Sequence, residues 1–256
     1  VTGILFPLIL PPTLPLWMIG VGVAFGVFIG KELFGGTGRN VFNPALVGRC
    51  FLALAYPATM SASWLEAGGG VTGRLFEYSG VSSADAVSSA TPLAMAKQGQ
   101  LVPLWNMFLG NISGSAGETS ALAIILGGSF LLLTRVASWR TVVSILVSFT
   151  VLLSALLLSG AVRYADGAML APVLWHLCAG GLLFGAFFMA TDPVTSPTTN
   201  AGKWVYGIII GAVTVLIRNF TGYVEGVTFA ILLGNIVAPI LDEMVIGVRI
   251  RRLRSE

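Results

Sequence analysis

Asp85-Ala86-Val87-Ser88-Ser89-Ala90-Thr91-Pro92-Leu93 is a small polar island in a very apolar chain. An extended Ser- and Ala-rich segment closed by a threonine and a proline gives a modifying enzyme access to one hydroxyl, that of Thr91. The same composition also suits a solvated connector between helices, and composition alone leaves both readings open. Other residues stand out because ionisable or helix-breaking groups are expensive at membrane depth. Glu32 ends an apolar run beside Lys31, where it suits either a cation contact or an interfacial pair with that lysine. Asn43 precedes Pro44, the arrangement of an N-cap with proline at the favoured first helical position. Asp192 sits among hydroxyls and two prolines in Phe188–Pro197, where a break in the helix would free carbonyls for a cation or a phosphate, or simply make a turn. Asp242 follows Pro239 near the end of the last apolar run, where a solvated helix end is the alternative.

Several chemistries are excluded by the same inventory. His176, the only histidine, has no second histidine or nearby thiolate to build a metal site, and reads as an interfacial hydrogen-bonding residue beside Trp175. Cys50 and Cys178 lie in apolar segments without paired spacing and read as packing residues. There is no P-loop, no G-x-G-x-x-G after a strand, and no serine, histidine and aspartate set for a hydrolase. Any redox chemistry must therefore come from a held cofactor.

The elements that position these residues are membrane helices. Of 256 residues 55% are hydrophobic and only 10% charged, far below the roughly 25% charged residues of soluble domains. Thirty-two glycines and twelve prolines, many inside apolar runs, suit close helix contacts and broken helices in a bundle. The fold class is all-α: one polytopic membrane domain over 1–256, with 61–100 as a polar loop. Apolar runs place about seven spans, near 16–33, 44–60, 119–134, 141–161, 172–190, 204–220 and 227–246, after a helix end at 1–10. Leu101–Leu109 is too short to cross. The first residues lack an initiating Met and a basic n-region, so no signal peptide is expected and the chain reads as starting within a longer protein.

Charge sets the orientation. With Arg249, Arg251, Arg252 and Arg254 inside, alternation also puts Arg135, Arg140, Lys203, Lys31 and Arg39 inside, as basic cytoplasmic loops require. The 61–100 loop and Thr91 then face outward, as do the loops at Arg163/Asp166 and Arg218/Glu225. The net charge of +3 speaks to this orientation rather than to nucleic acid. A weak internal pairing, Asn43-Pro44 against Asn235 and Pro239, is of the kind an inverted-repeat transporter leaves in sequence.

Dispersed motifs resemble one family, that of NqrB, a membrane component of the sodium-pumping NADH:quinone reductase (Nqr), and its relative RnfD of the Rnf complex. They are Lys31-Glu32 with Gly35–Asn40, Phe42–Leu46, Ala55–Ala58, Ser88–Leu93, Gly114–Glu118, Phe187–Val194, Glu225-Gly226 and Phe229–Leu232. In that family a threonine of an Asp-x-x-Ser/Thr-Gly/Ala-Ala-Thr motif is esterified to the phosphate of FMN by a flavin transferase. Asp85, Ser88, Ala90 and Thr91 fall on the pattern, while Ser89 stands where glycine is usual. The resemblance further implies a noncovalent riboflavin, inverted repeats similar to urea transporters, partner subunits, a quinone and a place in the inner (cytoplasmic) membrane. It also implies further helices before Val1. Of the two subfamilies the Nqr type fits better, through its Gly-Arg-Asn and Ala-Tyr-Pro-Ala blocks. An Rnf-type protein, serving ferredoxin and NAD+, and a small-solute channel without a redox role stand as the alternatives.

Overall fold

Proline and glycine, more than charge, set where the helices begin and end. In the computed structural model, which describes residues 1–62, 91–97, 102–162, 170–221, 223 and 226–255, all regular structure among the described residues is helical. Helix α1 (Thr2–Leu8) stops before Pro11-Pro12, and α2 (Leu16–Gly30) starts behind Pro15, followed by one 3-10 turn at Glu32–Phe34. Helix α3 (Pro44–Ala55) carries the cap read from sequence: the Asn43 side chain accepts from the Ala45 N–H at 3.0 Å, with Pro44 next. Pro57 then divides α3 from the short α4 (Pro57–Ala62).

After α5 (Pro92–Lys97) and α6 (Leu104–Leu109) come α7 (Ala121–Leu133), capped by Ser120, and α8 (Trp139–Leu158). The run expected to be a single span at 172–190 is broken. Helix α9 (Leu170–Cys178) ends, the chain turns through Gly180 at φ 63°, and it resumes as α10 (Leu182–Phe184) and a π-helical turn, Gly185–Met189. Gly180 adopts the left-handed conformation cheaply, and a Cβ on Gly181 would collide with the Glu118 carboxylate, so both glycines belong to the break. Helices α11 (Asn200–Phe220) and α12 (Val227–Ser255) complete the chain.

Four helical segments among the described residues are long and apolar enough to cross a membrane: Leu16–Phe34, Trp139–Leu158, Asn200–Phe220 and Val227–Arg254. The other expected spans are short, as α3 and α7, or broken, as α9 with α10. Hydropathy finds apolar runs and does not register a helix that stops inside one, which is why these read as full spans in the sequence. Outward faces are apolar: Leu126, Val151 and Ile240 are each more than half exposed, the pattern of a surface that meets hydrocarbon.

Between helices, small residues take the contact. The buried face of α2 is Gly22, Gly26 and Gly30, one turn apart, against α3. On α11, Gly207 and Gly211 lie on α8, where Ser144 donates to the Trp204 carbonyl at 2.5 Å and Ser148 to that of Gly207 at 3.3 Å. Backbones this close gain dispersion and inter-helix hydrogen bonds where apolar burial from water supplies no driving force.

Candidate functional site

Thr91 opens α5. Its hydroxyl accepts from the Ala94 N–H at 3.4 Å and its carbonyl from the Met95 N–H at 2.9 Å, so it caps a helix whose first residue is Pro92. The side chain is half-buried and lines a small pocket with Ile112, Ser113, Gly114, Glu118 and Gly180. Leu93, buried beneath, anchors α5 in a cluster with Met107, Ile112 and Trp175. Of the other motif residues, Asp85, Ser88, Ser89 and Ala90 lie outside the described residues, as does most of the 61–100 loop.

Below this pocket lies an ion pair that the sequence only half announced. Arg49, inside the apolar α3, meets Glu118 through two contacts, Nη1 to Oε1 at 2.6 Å and Nη2 to Oε2 at 3.4 Å. Ser115 donates to Oε2 at 2.7 Å, and all three side chains are buried. The sequence places Arg49 inside the 44–60 apolar run, where a charge must face protein or water. Glu118 as the partner was not legible, because no local spacing links α3 to the α6–α7 loop. Arg218 also departs from its expected place in an outer loop. It occupies the last turn of α11, buried, donating to the carbonyls of His176 at 2.8 Å and Ala179 at 2.9 Å. It thereby serves the free carbonyls at the end of α9. His176 beside it is buried, 4% exposed, and edge-on to Trp175.

The remaining sequence candidates fall elsewhere; none of Glu32, Asn43, Asp192 and Asp242 lines the Thr91 pocket. Glu32 is exposed, with Lys31 at 4.0 Å. Asn43 is buried, its amide 3.7 Å from the Met189 sulfur at the end of the π turn. The Asn235 amide, oriented to satisfy its neighbours, accepts from the Asn43 N–H at 3.2 Å and donates to the Tyr206 hydroxyl at 2.9 Å and the Ile231 carbonyl at 3.3 Å. The two motifs paired in the sequence therefore touch, although α12 runs unbroken through Asn235 and Pro239, with Asn235 about 12 Å from its start. Asp192 accepts from the Val194 N–H at 3.2 Å and from the Thr195 hydroxyl at 3.3 Å, closing its own turn. Asp242 accepts from the backbone and hydroxyl of both Thr198 and Thr199, at 2.5 to 3.0 Å, and so ties α12 to the start of α11.

The Thr91 pocket and the group Lys203, Arg135 and Arg140 occupy opposite ends of α11. Gly180, in the pocket wall, lies beside Arg218 at the C-terminal end of α11, whereas Lys203 with Arg135 and Arg140 lies at its N-terminal end. A helix of this length spans about 30 Å.

Broken and full-length apolar helices, closed by small residues around buried charges, define a polytopic helical membrane protein. Comparison with known sequences gives its family. The NQR2, RnfD, RnfE family model matches residues 1–251, and the chain belongs to that family. It is 47% identical to NqrB, of the Na(+)-translocating NADH-quinone reductase, from Azotobacter vinelandii, over 98% of this chain and 60% of that protein. The NqrB of Ectopseudomonas mendocina is 45% identical over 98% of this chain and 60% of its own length. That of Neisseria meningitidis serogroup B is 44% identical, over 100% and 61%. The chain thus spans about 60% of the length of the relatives it matches.

Proposed function

We propose that this chain is the flavin-carrying part of the NqrB membrane component of a Na+-translocating NADH:quinone reductase, with FMN esterified through its phosphate to Thr91. Membership of the family and the names of the relatives support the complex. The observation that carries the site is Thr91 itself: a half-buried hydroxyl on a helix cap, lining a pocket and held in place by the buried Leu93.

The residues present fit such a tether. The neighbouring carboxylate, Glu118, is occupied by Arg49 and Ser115, so it meets an attached phosphate as one half of a neutral pair. Gly114 leaves that wall without a side chain, and Pro92 stiffens the attachment. When bound, the flavin supplies reversible electron transfer; the protein fixes its position once, so that donor and acceptor stay within reach. In this reading the Thr91 end faces the periplasm and the C-terminus the cytoplasm of the inner membrane, and the partners are the other subunits, a flavin transferase and a quinone. A second, noncovalent flavin, riboflavin, belongs to the same reading.

For the ion step, Asn43 is the best supported of the four sequence candidates. It is buried where α3, the π turn and α12 meet, whereas Glu32 is exposed and Asp192 and Asp242 are only partly buried. Asn43→Ala should weaken the sodium dependence of turnover in the reconstituted complex, and an unchanged sodium titration would remove Asn43 from the path.

The flavin assignment is tested by intact mass and in-gel fluorescence of the full-length protein coexpressed with its flavin transferase. Wild type should carry one flavin, Thr91→Ala none, and Thr91→Ser, which keeps the hydroxyl and the cap, should retain it. An adduct persisting in Thr91→Ala refutes the site. Wild type without covalent flavin would sink the redox reading and favour a small-solute channel. Turnover with ferredoxin and NAD+ in place of NADH and quinone would assign the chain to the Rnf type.

A further inference from the structure

We infer that the basic end of the bundle binds an anionic phospholipid by its phosphate, in the cleft between the α7–α8 turn and the segment that leads into α11. Arg135, Arg140 and Lys203 line this single cleft of about 910 Å³, with Ser196 beside them; the Thr198 hydroxyl in its wall is already donated to Asp242. Among the described residues none of the three cations has an ion pair. The carboxylates of the adjoining segments are spent elsewhere: Asp192 on Val194 and Thr195, Asp242 on Thr198 and Thr199, and neither lines the cleft. Three cations converging on one concavity without a counter-charge form a site for an anion.

Arg135 supplies a second, independent observation. It stands at φ 59°, left-handed, and among the described residues it is the only non-glycine there. The turn is the usual helix stop, with the Val136 N–H to the Leu131 carbonyl at 3.0 Å and the Arg135 N–H to the Leu132 carbonyl at 3.1 Å, in which glycine normally fills the position that arginine holds here. An arginine kept where glycine would relax the backbone points to a use for its side chain.

The surroundings choose a lipid over a free phosphate. Leu133 and Val136 line the same cleft and are 83% and 67% exposed, an apolar lip that a soluble anion would leave unused. Trp139 lies beside them, with the Arg140 guanidinium 4.9 Å over its ring and Trp204 edge-on at 6.0 Å. Cations for the phosphate, two tryptophans and an apolar lip for an acyl chain occur together at one cleft, the combination a phospholipid can use. The site lies at the opposite end of α11 from Thr91 and does not depend on the flavin assignment.

The test uses the complex purified with the full-length protein, in nanodiscs of phosphatidylcholine alone or with phosphatidylglycerol, read by thermal unfolding of this component and by retained lipid in native mass spectrometry. Phosphatidylglycerol should raise the melting temperature of wild type, and inorganic phosphate added to phosphatidylcholine discs should not. Arg135→Gly should melt higher than wild type in phosphatidylcholine, because the turn relaxes, yet lose most of the phosphatidylglycerol increment. Arg140→Gln and Lys203→Gln should each weaken lipid retention about fivefold. An increment as large in the triple variant Arg135→Gly, Arg140→Gln, Lys203→Gln as in wild type overturns the proposal. So does an equal response to inorganic phosphate, which would mark a soluble anion as the ligand. Loss of a co-purifying subunit from the triple variant, with lipid retention unchanged, would overturn it in favour of a protein interface.

Discussion

At the scale of single residues, the buried Arg49–Glu118 pair separates removing one charge from removing both. Taking one partner away strands the other in a low-dielectric interior, which costs about 3–5 kcal/mol, whereas replacing both by apolar side chains of similar size is often neutral. Glu118→Leu and Arg49→Met should therefore each lower the thermal stability of the detergent-solubilised protein sharply, and the double variant should regain most of the loss. A double variant as unstable as the sum of the two singles would mean the charges act separately. Residue-level reading of the sequence succeeded where a single side chain carries its own signal: the Asn43 cap and the misfit of Arg49 in an apolar helix. It missed partners. Glu118 for Arg49, Thr198 and Thr199 for Asp242, and the α9 carbonyls for Arg218 are set by tertiary approach, which no local spacing encodes.

At the scale of elements, backbone proximity sets what each helix tolerates. A Cβ on Gly211 would lie 2.6 Å from the Ile145 carbonyl oxygen and 2.9 Å from Phe149 N, backbone atoms of α8 that cannot swing aside. Gly211→Val should thus destabilise by about 1–3 kcal/mol or more through overpacking. Gly247→Ala on α12, where a Cβ would meet nothing within 4 Å, should be neutral or stabilise by up to about 1 kcal/mol from helix propensity. Similar melting temperatures for the two variants would refute the close α8–α11 contact. The long apolar elements were legible from hydropathy, with ends set within a few residues by Pro15, Asn43-Pro44 and Ser120. The break at Gly180-Gly181 was hidden, because a glycine pair in an apolar run reads equally as a helix contact or as a turn until Glu118 is seen to fill the space a side chain would need.

At the scale of the whole molecule, the two ends differ in kind. One gathers Lys203, Arg135, Arg140 and Arg249; the other holds Thr91, Ser113 and the buried Arg218. If the basic end is cytoplasmic, then in a background with Cys50 and Cys178 replaced by alanine, a cysteine at Asn200 should label only from the cytoplasmic side of sealed membranes. A cysteine at Ser113 should label only from the periplasmic side. Labelling of both from one side would overturn the two-ended arrangement. The contact between Asn43 and Asn235 bears on biogenesis. The chain is made from its N-terminus, and α3 enters the bilayer before α12 exists, so the Asn43 N–H waits for its acceptor until nearly the last helix has left the ribosome. Arg49 waits likewise for Glu118. The segment that holds α1–α3 should therefore stay exposed to the insertion machinery and to membrane proteases until α12 emerges, and a nascent chain arrested with α12 still inside the ribosome should be degraded faster than one whose α12 has left it.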